Sequence, residues 1–180
     1  MNVGDYVKYY EDILSVDQCK EVLHCTETVF VASSYSNKDG EIVSNERVRM
    51  DEFWVKKDSV LYPLVHGGFS RVIKKYSEEF ERFSVQHTTD FRINRYVEGG
   101  FMSSHVDNIH HSHGQQYGYP QVSALLYLND DYEGGEFYVA DKKFEPKQGS
   151  AIIFPSNFMF PHEAKEVTKG TRWSIVTWLM

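Results

Sequence analysis

The chain has 180 residues, 41% hydrophobic and 25% charged, which suits one soluble globular domain with a sizeable core. Its formal net charge is −7 with no dense Lys/Arg run, which argues against gripping a nucleic-acid backbone. No stretch is long enough to span a membrane, and the start "MNVGDYVKYYEDIL" lacks the basic residues and apolar run of a signal peptide, so a soluble, intracellular protein is expected.

"VKYYEDIL" reads as a short opening strand. "SVDQCKEVLHCTE" follows as a helix, with Ser15 as N-cap and Gln18 completing a capping box. The two cysteines, Cys19 and Cys25, sit six positions apart on it, face different directions and form no disulfide framework, which fits a reducing compartment. "SYSNKDGEIVSNERVRMDEFWV" reads as strands around a loop, with turn residues from Asn37 to Gly40. "KDSVLYPLVHGGFSRVIKKYSEEFERF" carries Leu61, Leu64, Val65, Phe69, Val72, Ile73, Tyr76 and Phe80 near helical spacing. Asp58 is its expected cap and Pro63 falls in its first turns, while Gly67 and Gly68 weaken its middle.

From Val85 onward the pattern is β. "VQHTTDFRINRYV", "SALLYLND", "GGEFYVA", "KKFEPKQGSAIIFPS" and "TRWSIVTWLM" are short runs rich in β-branched and aromatic residues, separated by Gly, Asn, Asp and Pro. The expectation is an α+β, mainly β domain: residues 1–84 as a strand-and-helix support region and 85–180 as an antiparallel sandwich or barrel, with the helices outside.

In "HVDNIHHSHG" the residues His105 and Asp107 are two apart, so on a strand they share a face. His162 in "FPHEAKEV" is the best third partner, since it follows the apolar strand "SAIIF". Two histidines and a carboxylate make the facial triad of non-haem Fe(II) sites. By itself H-x-D is a weak motif, and a lone histidine is more often a surface or core residue than a ligand. His110, His111 and His113 lie among turn formers and read as loop residues near the mouth of the site.

The segments "RYVEGGFMSSHVD", "LLYLNDDYEGGEFYV" and "KQGSAIIFPSNFMFPHEAKEVTKGTRWSIVTWL" together resemble the iron- and 2-oxoglutarate-dependent dioxygenases, in their prolyl 4-hydroxylase-like branch, from Phe91 to Leu179. The resemblance implies a double-stranded β-helix (jelly roll) and makes His105, Asp107 and His162 the iron ligands. It assigns Arg172 to the distal carboxylate of 2-oxoglutarate, with Tyr127, Tyr96 and the Ser174 hydroxyl as further contacts. Phe137 or Leu125 would line that pocket, Trp178 would face the cavity, and the glycines of "EGGEF" would shape a tight hairpin. The cofactors implied are Fe(II), 2-oxoglutarate and O2, with ascorbate as a reductant, and the reaction is C–H hydroxylation coupled to loss of CO2 from 2-oxoglutarate.

The same resemblance points to peptidyl proline as substrate, with Arg49, in "NERVRMDEF", and Met102 near it. It also carries departures. Met102 stands where relatives have a substrate-contacting tyrosine, and Pro120 and Gln121 stand where some have an arginine. "SYSNKDGEIVSN" reads either as a loop that closes over a peptide or as a hairpin connection. A free amino acid or other small metabolite is an alternative substrate. A non-catalytic β-sandwich binding module and a Zn hydrolase are alternatives of other classes. A nucleic-acid demethylase would want a basic rim, which the charge opposes.

Overall fold

The structure, a computed structural model, describes residues 2–26, 30–33, 35–36, 42–43, 47–108 and 118–180. Its frame is set by strands that are apolar on both faces. β9 (Val122–Tyr127) is buried at every position. Val122, Ala124 and Leu126 enter one core, whereas Leu125 and Tyr127 enter another. The same split recurs in β16 (Arg172–Leu179), where Ile175 and Leu179 join the first core and Val176 and Trp178 the second. Successive side chains on a strand point to opposite faces, so a sheet of such strands needs a covering layer on each side.

That sheet has seven strands in the order β1 (Lys8–Tyr10), β13 (Ala151–Pro155), β9, β16, β7 (Phe91–Tyr96), β6 (Asp51–Val55) and β2 (Val31–Ala32). Every pairing in it is antiparallel. One covering layer is a five-stranded sheet, β12 (Lys142–Phe144), β11 (Phe137–Val139), β14 (His162–Ala164), β8 (Phe101–His105) and β5 (Val48–Arg49). The other is formed by the helices α1 (Val16–His24) and α2 (Tyr62–Glu79). Two short pairs, β10 (Glu133–Gly134) with β15 (Val167–Lys169) and β3 (Tyr35–Ser36) with β4 (Ile42–Val43), complete the strands among the described residues. This is the expected sandwich with helices outside. The N-terminal region also supplies β1, β2 and β6 to the large sheet and β5 to the small one, so it is built into both layers.

The capping box of α1 forms as its sequence predicts: Ser15 Oγ accepts from the Gln18 N–H at 3.2 Å, and Gln18 Oε1 accepts from the Ser15 N–H at 3.0 Å. Cys19 is buried within α1, Cys25 is exposed just past its end, and both are free. Along α2 the buried Val65, Phe69, Val72 and Tyr76 make one stripe, each worth roughly 1.5–3 kcal/mol of apolar burial. Gly68 lies on that stripe. A Cβ there would stand 3.0 Å from both Leu126 and Leu14 side chains, so the glycine lets the helix close on the sheet. The helix therefore runs unbroken through the Gly pair.

Three local expectations are corrected. Asp58 does not cap α2, whose N-cap is Leu61 with no side-chain bond; Ser59 Oγ instead accepts from the Leu61 N–H. The strand expected from Val85 begins at Phe91, with only an isolated bridge between Thr88 and Leu179 before it. The "EGGEF" glycines make no hairpin between their flanking strands: β10 pairs with β15, and the hairpin comes one step later, from β11 to β12. Its two-residue turn is Ala140–Asp141, both at positive φ (47° and 66°), as a type I′ turn requires. Gly134, at φ 73°, is needed because a Cβ there would run into the Glu166 carbonyl. Among the described residues, no helix is long and apolar enough to cross a membrane.

Candidate metal and anion site

His105 ends β8 and His162 opens β14, and the antiparallel pairing sets the two residues opposite each other. Their ring centroids lie 4.2 Å apart. A continuous strand through His-Val-Asp was expected; β8 instead stops at His105, and a bend brings Asp107 round to the rings. Asn108 holds that bend, its N–H donating to the Ser156 carbonyl at 3.0 Å and its Nδ2 to the Pro120 carbonyl at 2.6 Å. The result is tight: Asp107 Oδ1 is 3.4 Å from His105 Nε2, and Oδ2 is 3.4 Å from His162 Nε2. One donor atom from each residue falls within 4.8 Å of the others.

The outer atoms of the triad are already engaged. His105 Nδ1 lies 2.9 Å from the Ser103 carbonyl and His162 Nδ1 3.3 Å from the Phe160 carbonyl. A carbonyl only accepts, so each Nδ1 carries a hydrogen, which leaves each Nε2 facing Asp107 as the atom that would bind a metal. Ser123 Oγ donates to Asp107 Oδ2 at 2.6 Å. Burial pushes the Asp107 carboxyl up, but the facing His162 and His105 outweigh it and hold the group well below the usual carboxylate range. Two imidazoles and an ionised carboxylate, each steered from behind, form the donor set of a facial triad and suit Fe(II).

The same cavity is lined by Arg172, which is 1% exposed. Its guanidinium carbon sits over three rings, at 4.8 Å from Tyr96, 5.2 Å from Tyr127 and 5.9 Å from Phe137. Nη2 makes a long 3.5 Å bond to the Tyr127 hydroxyl, and Tyr132 lies close enough to act on the charge. Nε and Nη1 have no hydrogen-bond partner, nor does the buried Ser174 Oγ two residues along. Among the described residues no carboxylate pairs with this arginine. Burial pushes the Tyr127 and Tyr96 hydroxyls up, so both remain protonated donors. Gly135 makes room for the arginine, since a Cβ there would lie 3.0 Å from Arg172 Cδ. A buried guanidinium stays charged, and its unbonded donors fit the carboxylate of an anionic ligand such as 2-oxoglutarate.

The model of one protein family, the 2OG-Fe(II) oxygenase superfamily, matches residues 91–180, the stretch that carries the triad, Arg172 and both tyrosines. The chain belongs to this superfamily. Human prolyl 3-hydroxylase 2 is 42% identical over 69 residues, covering 34% of this chain and 10% of that protein. Chicken prolyl 3-hydroxylase 2 is 26% identical over 214 residues, covering 93% of this chain and 29% of that protein. This oxygenase chain thus spans less than a third of the length of these curated relatives. Among solved structures, the viral collagen prolyl hydroxylase of Paramecium bursaria Chlorella virus-1, in its 2-oxoglutarate complex, superposes with a TM-score of 0.75 at 16% identity, covering 99% of this chain and 98% of the other. The prolyl hydroxylase of Trichoplax adhaerens, in complex with a hypoxia inducible factor peptide fragment, gives 0.76 at 21% identity, covering 97% and 83%. The two share this oxygenase's jelly-roll fold.

Within the oxygenase fold the sequence-predicted residues separate. Tyr96, Met102, Leu125, Phe137 and Trp178 line the cavity with the triad and Arg172. Tyr127 reaches it through Arg172. Ser174 lies on the same strand face, opposite Asn94 on β7 and Tyr127 on β9. Arg49 is not part of the lining: it is exposed on β5 opposite Phe101, with Nη1 donating to the Gly99 carbonyl at 3.4 Å. His110, His111, His113 and most of "SYSNKDGEIVSN" lie outside the described residues. Sequence reasoning missed Arg92 and Asn94, which line the cavity, although their positions four and two residues before Tyr96 on one strand were a usable signal. It also missed Ser123 and Tyr132; the latter lies outside any strand and gives no periodic cue.

Proposed function

We propose that this chain is an iron- and 2-oxoglutarate-dependent hydroxylase whose substrate is a peptidyl proline. The observation that carries the reading is the buried Arg172, with two unbonded donor atoms, in the same cavity as the His105–Asp107–His162 triad. In this reading the triad holds Fe(II), and Arg172 with the Tyr127, Tyr96 and Ser174 hydroxyls holds the distal carboxylate of 2-oxoglutarate. Bound together, iron, cosubstrate and O2 supply the oxidation, one oxygen atom entering the substrate C–H bond and the other the succinate left when 2-oxoglutarate loses CO2. Leu125, Phe137 and Val176 line the cavity as apolar walls and keep water away. Peptidyl proline is supported by the names of the relatives, prolyl 3-hydroxylases, and by the peptide held by the Trichoplax enzyme of like fold. Two free cysteines fit a reducing, intracellular setting.

The test is anaerobic addition of 2-oxoglutarate to Fe(II)-loaded protein, followed by visible absorption. A charge-transfer band is expected in wild type and lost in His162→Ala. Admitting O2 with a proline-containing peptide should yield succinate and a peptide heavier by one oxygen atom. Folded protein with no band refutes the oxygenase reading; a band with no peptide product, but turnover on a free amino acid, refutes the peptide substrate alone.

A further inference from the structure

The cavity holds a second buried cation that the triad and Arg172 do not use. On β7 the side chains of Tyr96, Asn94 and Arg92 all line the cavity, and in the ladder they stand opposite Arg172, Ser174 and Val176 respectively. Arg92 is thus four rungs from the Arg172 rung, about 13 Å of backbone at ~3.3 Å per residue. The two guanidiniums sit over different rings, Arg172 over Tyr96, Tyr127 and Phe137 and Arg92 over Trp178 and Trp54. The cosubstrate reading uses Arg172 alone, so Arg92 is left for the other reactant.

The chemistry of this end differs from that of the Arg172 end. Arg92 is 8% exposed, and its Nη1 pairs with Glu52 Oε2 at 3.4 Å. Glu52 Oε1 accepts from Trp54 Nε1 at 3.2 Å. The guanidinium lies 4.9 Å from the Trp178 ring centroid and 5.9 Å from that of Trp54. Its charge is therefore already balanced, unlike that of Arg172, so a second carboxylate gains little here. Two polar atoms remain without a hydrogen bond: the Arg92 Nε donor and Oδ1 of Asn94, an acceptor on a residue 3% exposed. One donor and one acceptor on adjacent positions of a strand face match the C=O and N–H of a peptide backbone, and Trp178 lines the cavity beside them.

We infer that Arg92 and Asn94 form a second polar subsite that recognises a backbone amide of the substrate, beside Trp178. The inference rests on the hydroxylase reading above and narrows its substrate to a peptide over a free amino acid. With Fe(II) and 2-oxoglutarate bound under anaerobic conditions, tryptophan fluorescence would be titrated with the capped peptide acetyl-Gly-Pro-Gly-amide and, separately, with free L-proline. The capped peptide should bind more tightly in wild type. Its affinity should fall by about tenfold or more in Arg92→Lys and in Asn94→Ala, the scale of one hydrogen bond involving a charged donor or of one orphaned buried group. Lysine keeps the charge and the Glu52 pair but has no Nε–H, so an arginine with only a structural role would be rescued by it. The double variant Glu52→Gln/Arg92→Met removes both charges together and should show the same loss, which covers a fold that rejects the single change.

Unchanged peptide affinity in Arg92→Lys overturns the inference, as does tighter binding of free proline than of the capped peptide. The 2-oxoglutarate charge-transfer band is recorded on the same samples. A band with peptide binding indifferent to Arg92 refutes this subsite alone, whereas absence of the band refutes the hydroxylase reading.

Discussion

Replacing Ser123 by alanine deletes one hydroxyl behind the triad and should loosen the metal without touching a ligand. The Ser123 Oγ lies 2.6 Å from Asp107 Oδ2 and 2.8 Å from Ser156 Oγ. The carboxylate is ionised and can only accept, so the Ser123 hydrogen points to Asp107 and the Ser156 hydrogen points to Ser123. Both serines are fully buried, so no solvent competes. A hydrogen bond to a charged group contributes about 1.5–3 kcal/mol, which at roughly 1.4 kcal/mol per decade is about 10- to 100-fold in affinity, the range seen for groups that orient metal ligands. Ser156→Ala removes a bond between neutral groups, about 0.5–1.5 kcal/mol, and should cost less than Ser123→Ala. Anaerobic calorimetric titration with Fe(II), repeated with Mn(II), measures both. Affinities of Ser123→Ala within twofold of wild type, or a larger loss in Ser156→Ala, would refute the assigned direction of this relay.

Arg172→Met should weaken 2-oxoglutarate binding by roughly 10- to 100-fold by loss of charged hydrogen bonds, measured as the midpoint of the charge-transfer titration. The ligand-free variant should melt no lower than wild type, because methionine replaces a buried charge that no carboxylate compensates. Asp107 has a folded-state pKa below its unfolded value of about 3.9. Its contribution is therefore complete above that value and is lost as pH falls through the folded one. In metal-free protein the Tm advantage of wild type over Asp107→Asn should shrink on acidification below about pH 4, and a constant gap would contradict the shift. Gly149→Ala sets a side chain at φ 79° and drives its Cβ into the Leu14 carbonyl. The left-handed conformation and the overpacking together cost about 2–4 kcal/mol, or a Tm lower by roughly 5–15 °C for a chain of this length, read by calorimetry.

The parts of the fold legible in the sequence were those fixed by local chemistry. Ser15 and Gln18 announce the start of α1, and the spacing of Val65, Phe69, Val72 and Tyr76 announces α2. The doubly buried strands β9 and β16 show in "SALLYL" and "SIVTWL", apolar runs too short for helices. What escaped depends on partners distant in sequence. The pairing of β10 with β15 is set by a glycine tolerating the Glu166 carbonyl, and nothing near Gly134 names Glu166. The Ala140–Asp141 turn takes positive φ in two non-glycine residues because β11 is held on its other side by β14. In the site, histidine and arginine were readable as motif residues. The bend that delivers Asp107 is fixed by Ser156 and Pro120, far along the chain. Arg92 was passed over because an arginine on a strand reads as surface until its face is known.

Arg172 bears on the working life of the protein as well as on its chemistry. A buried guanidinium that no carboxylate side chain among the described residues neutralises costs stability, and a bound dicarboxylate would offset that cost. Mass action sets the size: at 100 times its dissociation constant a ligand adds about 2.7 kcal/mol, enough to thin the open population that proteases attack by roughly two orders of magnitude. With 2-oxoglutarate as that diacid, the abundance of the protein would follow the supply of its own cosubstrate. A metabolically starved cell would then lose the enzyme itself, by degradation, along with its activity.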